Sequence, residues 1–308
     1  MLSVFYSLIP VILTILLGFW LKRLSLFSDE TWRGFENLCY FVLFPTLLVK
    51  TLATAKIGTG EVLLFSSVIL FAIGAMSLLM LVLYPILKNG FSVTPQQYTS
   101  LFQGATRWHG FIALSIVGFL YGDEGVAYMA ITMAVIIPPL NIINVSLLAL
   151  LTDKEVSGLD VVKKLIANPF ILACAIGAFL NLSGIGLPVP FYSVFDILGG
   201  GALGLGLLAV GAGLHLGMIR DHKVLVGFGS AIRLLGMPLF MFLGAWLFDI
   251  EGIGRTVAVI AGAVPTASTA YVLARQMGGD APLMANLITV QILAAVITLP
   301  GMIWLAGF

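Results

Sequence analysis

Long apolar runs separated by short polar breaks organise the chain. They lie at 2–21, 35–53, 61–87, 98–121, 124–150, 161–183, 190–217, 223–248, 253–277 and 281–306. Each approaches or exceeds the roughly 20 residues that a helix needs to cross a bilayer. The breaks SLFSDET, KNGFSVTPQQ, TDKEVSGLD, GIGLPVP, RDHK and MGGD carry the Gly, Pro, Asp, Asn and Ser that favour turns. None is long enough for a soluble domain. The pattern predicts an all-α polytopic membrane protein of ten transmembrane helices, with the lipid bilayer as its surroundings.

Basic residues orient these helices. The loops after the first, third, fifth, seventh and ninth helices hold ten Lys and Arg, among them Lys22, Arg23, Lys154, Lys163, Lys164 and Arg220. The opposite side holds only Lys50, Lys56 and Arg255. The excess of positive charge on cytoplasmic loops then places both termini outside a cell inner (plasma) membrane. Arg107 and Arg233 fit neither side, because both fall inside apolar runs.

Composition narrows the class further. Of the 308 residues, 60% are hydrophobic and 9% charged, and mean hydropathy is +1.11; soluble domains carry about 25% charged residues. The net charge of +1 comes without a basic patch, so nucleic acid is not an expected partner. Cys39 and Cys174 lie far apart in apolar runs, which points to inert buried thiols. The run 2–21 has neither a basic leader nor a small-residue cleavage site, and reads as a retained helix. No cofactor or metal motif is visible: the histidines are scattered and there is no HExxH.

The chain also repeats itself. Pro10 and Gly18 recur as Pro169 and Gly177 at an offset of 159, and GATRWHGFIA from Gly104 parallels GAVPTASTAY from Gly262 at 158. YGD at 121–123 parallels GGD at 278–280 at 157. Three pairings at nearly one offset argue for duplication, with repeats at 1–151 and 161–308. An odd number of helices per repeat inverts the second relative to the first. Inverted repeats are a hallmark of secondary transporters, which bind substrate where discontinuous helices of the two halves meet. Pro265 marks such a break in the ninth helix, followed by Thr266, Ser268 and Thr269, whose hydroxyls can serve freed backbone or a ligand. The matching break in the fourth helix rests on Gly104, Gly110 and the repeat.

Five segments carry a family resemblance: ENLCYFVLFPTLLVKTL (36–52), ANPFILACAIGAFLNLSGIGLPVP (167–190), LGGGALGLGLLAVGAGL (198–214), RLLGMPL (233–239) and VPTASTAYVLARQMGGD (264–280). With them the chain resembles the auxin efflux carrier family, which includes plant PIN carriers and bacterial permeases, in the bile-acid/auxin transporter superfamily. The resemblance implies two inverted five-helix repeats whose broken helices 4 and 9 cross near the membrane centre. It implies a dimerising scaffold of helices 1, 2, 6 and 7, and a transport domain of helices 3–5 and 8–10. Small organic anions would move by elevator-like alternating access through a homodimer. The chain departs from the family at helix 4. There the family's crossover asparagine aligns with His109, and the downstream proline has no counterpart among Ala113, Leu114 and Ser115.

That departure directs attention to the polar residues of the spans. An arginine at mid-membrane costs at least about 2.5–3.5 kcal/mol, so Arg107 needs a partner. The candidates are a substrate carboxylate held by the guanidinium, a structural salt bridge to Asp196 or Glu36, or freed backbone carbonyls. His109 can share its cavity if the segment is unwound, either as a proton carrier or bonded to backbone in place of asparagine. Asn141 and Asn144, spaced i and i+3, share a helix face and could bind a carboxylate or pack between helices. The substrate site is therefore expected among Arg107, His109, Gly110, Asn141, Asn144, Pro265, Thr266, Ser268 and Thr269. His109, Asp196 and Glu36 are the candidates for ion coupling. Deep carboxylates are scarce, which favours uniport or H+ coupling over the Na+-coupled organic-anion symport of the bile-acid transporters. An intramembrane enzyme would need paired acids, a serine–histidine pair or a metal cluster, and a sensor would call for an output domain. Neither is seen in the sequence.

Overall fold

The structure is a computed structural model that describes residues 2–56, 58–152, 159, 162–163, 166–214 and 222–307. Among the described residues it is all helical, with no strand. The expected helix start at 161, His215, and the basic residues Lys154, Lys164 and Arg220 lie outside the described residues. The helices are α1 (Leu2–Arg23), α2 (Asp29–Thr54), α3 (Thr59–Phe91), α4 (Pro95–Thr106), α5 (Gly110–Thr152), α6 (Pro169–Leu182), α7 (Val189–Ala212), α8 (Lys223–Leu247), α9 (Gly252–Ala263), α10 (Thr269–Met277) and α11 (Ala281–Leu305). Among the described residues, six stretches are long and apolar enough to cross a membrane unaided: α2, α3, the α4–α5 stretch, α7, α8 and α11. The helices α6 and α9 are apolar but shorter.

Local chemistry explains the boundaries. Ser28 accepts from the Thr31 N–H and starts α2 ahead of its apolar run, as an N-cap serine does. Asn168 accepts from the N–H groups of Phe170 and Ile171, and Pro169 at the first position sets the start of α6. α2 and α8 each pass through one π turn, at Cys39–Leu43 and Ile232–Gly236, just before Pro45 and Pro238. The wider turn accommodates the carbonyl that each proline leaves without a donor. α5 is two helical legs, because Gly122 sits at φ 56, ψ −143, a conformation glycine adopts without a Cβ penalty.

The chain divides into two compact units, 1–63 with 110–134 and 163–214, and 64–109 with 135–162 and 215–308. In the first, α1 packs on α7 and α2 on α6. A Cβ on Gly18 would stand 2.8 Å from the Leu208 Cα, and one on Gly177 would stand 3.3 Å from the Val49 Cα. Gly177 follows Gly18 by 159 residues, and Leu208 follows Val49 by the same 159. One close approach is thus made twice, with the order of the partners exchanged. Both cysteines are free thiols and buried. At one end of this unit, buried Lys50 donates to Asp196 at 2.6 Å and lies 3.8 Å from Asp123; the Tyr128 hydroxyl donates to the Glu61 carboxylate.

In the second unit α8, α10 and α11 pack against α4. Gly262 lets α9 lie against α8, where a Cβ would be 2.7 Å from the Pro238 Cα. The Tyr98 hydroxyl ties α4 to the Met80 carbonyl of α3 at 2.8 Å, and the Ser100 hydroxyl donates to the Asp280 carbonyl at 2.8 Å. Every residue of α4 from Tyr98 to Thr106 is buried.

Candidate functional site

Two 12-residue helices of the second unit, α4 and α9, stop in the same way. The residue after each is extended: Arg107 at φ −69, ψ 156 and Val264 at φ −70, ψ 150. The chain then runs non-helical through 107–109 and 264–267 before α5 and α10 begin. At α9 the cause is local. Val264 precedes Pro265, and a residue before proline is driven out of the α region. At α4 there is no proline, and the cause is remote.

A helix end leaves its last carbonyls without intrahelical donors; at α4 side chains from elsewhere in the unit take two of these, and a third adds to Gln103 O, which already holds the Arg107 N–H at 2.9 Å. The Thr266 hydroxyl donates to Gln103 O at 3.3 Å, the Gln291 amide to Gly104 O at 3.1 Å, and the Arg233 guanidinium to Ala105 O at 3.5 Å. The same side chains serve the other break. Gln291 Oε1 accepts from the Thr266 N–H at 2.8 Å, while Arg233 donates to Val264 O at 2.8 Å and Ala261 O at 3.1 Å. Arg233, Gln291 and Thr266 are fully buried. Among the described residues no carboxylate pairs with Arg233. Its countercharge is the pair of helix C-termini, each worth about half a negative charge, which together match one guanidinium.

Arg107 stands at the edge of this knot. Its Nη2 donates to Asn141 Oδ1 at 3.0 Å, while its Nε is shielded from solvent and has no hydrogen-bond partner. One turn earlier both amide atoms of buried Gln103 are also without partners. The neighbouring Thr106 hydroxyl donates to Phe102 O at 2.8 Å and lies 3.3 Å from Asn144 Oδ1. Asn144 Nδ2 in turn donates to Leu140 O at 2.8 Å. The shared face of Asn141 and Asn144 therefore meets the end of α4. Neither acid named as a structural partner pairs with Arg107: Asp196 engages Lys50, and Glu36 is exposed on α2.

The other expected site residues divide by position. His109 and Pro265 are buried at the two breaks, and Gly110 opens α5. Ser268 and Thr269 are exposed where α10 begins. Sequence reasoning noted Arg233 only as a charge inside an apolar run, and left it, Gln291 and Gln103 out of the expected site. A deep arginine was the one visible signal for Arg233, and its partners are backbone carbonyls that no residue type announces. The site offers a guanidinium with an unpaired Nε and an unpartnered amide, groups that can hold a carboxylate.

Comparison with known proteins agrees with a transport role. An uncharacterised transporter of Methanothermobacter thermautotrophicus is 22% identical over 297 residues, spanning 96% of this chain and 95% of its own. The uncharacterised transporter YfdV of Escherichia coli K12 is 22% identical over 310 residues, spanning 97% and 96%. A Rhizobium meliloti protein named as a candidate malonate transporter is 25% identical over 151 residues, 49% of this chain and 47% of its own. The family model described as membrane transport protein matches residues 3–303. The chain is therefore a member of this auxin-efflux-carrier-like family of membrane transporters.

Proposed function

We propose that this protein is a secondary transporter that moves a small organic anion, a carboxylate, across the inner membrane by elevator-type alternating access. It works as a uniporter or with H+, as a homodimer with both termini outside. The observation that carries the reading is Arg107. At a helix break a guanidinium is oriented by Asn141, and its Nε is shielded and left unpaired. A substrate carboxylate supplies the missing acceptor, and the unpartnered Gln103 amide adds a donor beside it.

The architecture of this reading is two inverted five-helix repeats with α4–α5 and α9–α10 broken near the midplane. The doubled glycine contact at an offset of 159 and the near-identical backbone at Arg107 and Val264 support it. α1, α2, α6 and α7, the scaffold of this reading, all fall in the first unit, joined there by residues 110–134. The relative named for malonate suggests short dicarboxylates as first substrates to try. The test is uptake of labelled malonate and a panel of C2–C6 carboxylates into proteoliposomes under imposed pH gradients. Saturable uptake blocked by Arg107→Ala is expected. A panel in which no anion moves under any gradient sinks the reading.

A further inference from the structure

The ends of α4 and α9 converge on Ala105 O, Ala261 O and Val264 O, all within reach of one guanidinium. Free carbonyls at half-helix C-termini are the chemistry with which discontinuous membrane helices coordinate a small monovalent cation. Here the position holds a cation tethered to the chain. Arg233 is completely buried, reaches all three carbonyls, and projects from a π turn of α8. A guanidinium stays protonated and spreads its donors in a planar fork, so one side chain can hold two helix ends without a soluble ion. The amide of Gln291 takes the adjacent Gly104 carbonyl.

We propose that Arg233 is a built-in counter-cation that replaces a coupling alkali cation, so that the paired breaks assemble, and the anion moves, without Na+. Removing the guanidinium then opens a carbonyl-lined site that Na+ or Li+ can enter. The part of this inference that concerns transport rests on the transporter reading; the part that concerns ion binding stands apart from it.

The experiment is thermal unfolding of the purified full-length protein in NaCl, LiCl or choline chloride at equal ionic strength. The wild type and Arg233→Lys should melt at one temperature in all three salts. Arg233→Ala should melt lower in choline and recover by several degrees in NaCl or LiCl, saturating with concentration as a bound ion does. Arg233→Gln, which keeps donors without the charge, serves if the alanine variant does not fold. A saturable Na+-specific rise in the wild type overturns the proposal, and so does a folded Arg233→Ala or Arg233→Gln that is indifferent to cation identity. In proteoliposomes, wild-type uptake should be equal in Na+, K+ and choline, and Na+-dependent uptake refutes the proposal. If no carboxylate is taken up at all, the transporter reading fails while the melting result still decides the ion site.

Discussion

Replacing Gln291 by leucine removes a side chain that hydrogen-bonds to both breaks at once and nearly keeps its volume. The native amide donates to Gly104 O at 3.1 Å and accepts from Thr266 N at 2.8 Å, fully buried. The variant leaves one carbonyl and one N–H without partners. Each such group costs about 1–3 kcal/mol when buried, so the pair costs about 2–6 kcal/mol. The extra apolar surface of leucine offsets about 1–2 kcal/mol of that. At the middle of both ranges the net loss is about 2.5 kcal/mol, a fall in Tm of about 5–10 °C at roughly 2–4 °C per kcal/mol. Thr298→Val on the same helix is the control. Its hydroxyl donates to Ala294 O at 3.2 Å, a carbonyl that keeps its own helical partner, so the cost stays below about 1 kcal/mol. Scanning fluorimetry of the two purified variants in one detergent compares them. If Gln291→Leu melts together with Thr298→Val, the claim that this amide holds the breaks is refuted.

Other consequences are as direct. Arg107→Ala should abolish carboxylate binding, read by isothermal titration, while the protein still melts cooperatively; unchanged affinity would assign Arg107 to structure alone. Asp196→Asn should lower Tm more than Lys50→Met does. The first leaves a buried ammonium with Asp123 at 3.8 Å and the Tyr192 ring at 5.2 Å, at about 1–3 kcal/mol, whereas the second frees carboxylates that are already exposed. Equal shifts would contradict that account. Gly18→Ala should destabilise by about 1–3 kcal/mol or more, because its Cβ meets Leu208 backbone that cannot rotate away. Gly200→Ala meets nothing within 4 Å and should leave Tm within a degree.

The reach of the sequence follows from where each cause lies. Helices were legible because apolar runs and prolines act on neighbours a few residues away, but the cap at Ser28 was missed: α2 starts at Asp29, six residues before the expected 35. The α9 break was legible for the same reason, through Pro265. The α4 break has no proline and was legible only through Gly104, Gly110 and the repeat; the side chains that hold it, Thr266, Gln291 and Arg233, come from more than a hundred residues downstream. The pairing of Asn141 with Asn144 showed in their spacing, but their meeting with Arg107 and Thr106 required the tertiary packing. The pairing of Asp196 with Lys50 was not legible either, because 146 residues separate them.

The doubled glycine contact also bears on how the chain is made. Gly18 of α1 awaits Leu208 of α7, and Val49 of α2 awaits Gly177 of α6. The first helices to emerge are therefore completed only by helices synthesised long after them. About 190 residues separate Gly18 from its partner, of the order of 10–40 s of synthesis at typical rates. During that interval α1 and α2 must sit in lipid, or against the insertion machinery, with their closest-packing faces open. Truncation before α6 should therefore yield a chain that inserts but is cleared by quality control. The same fragment should be rescued when the missing half is co-expressed as a separate polypeptide.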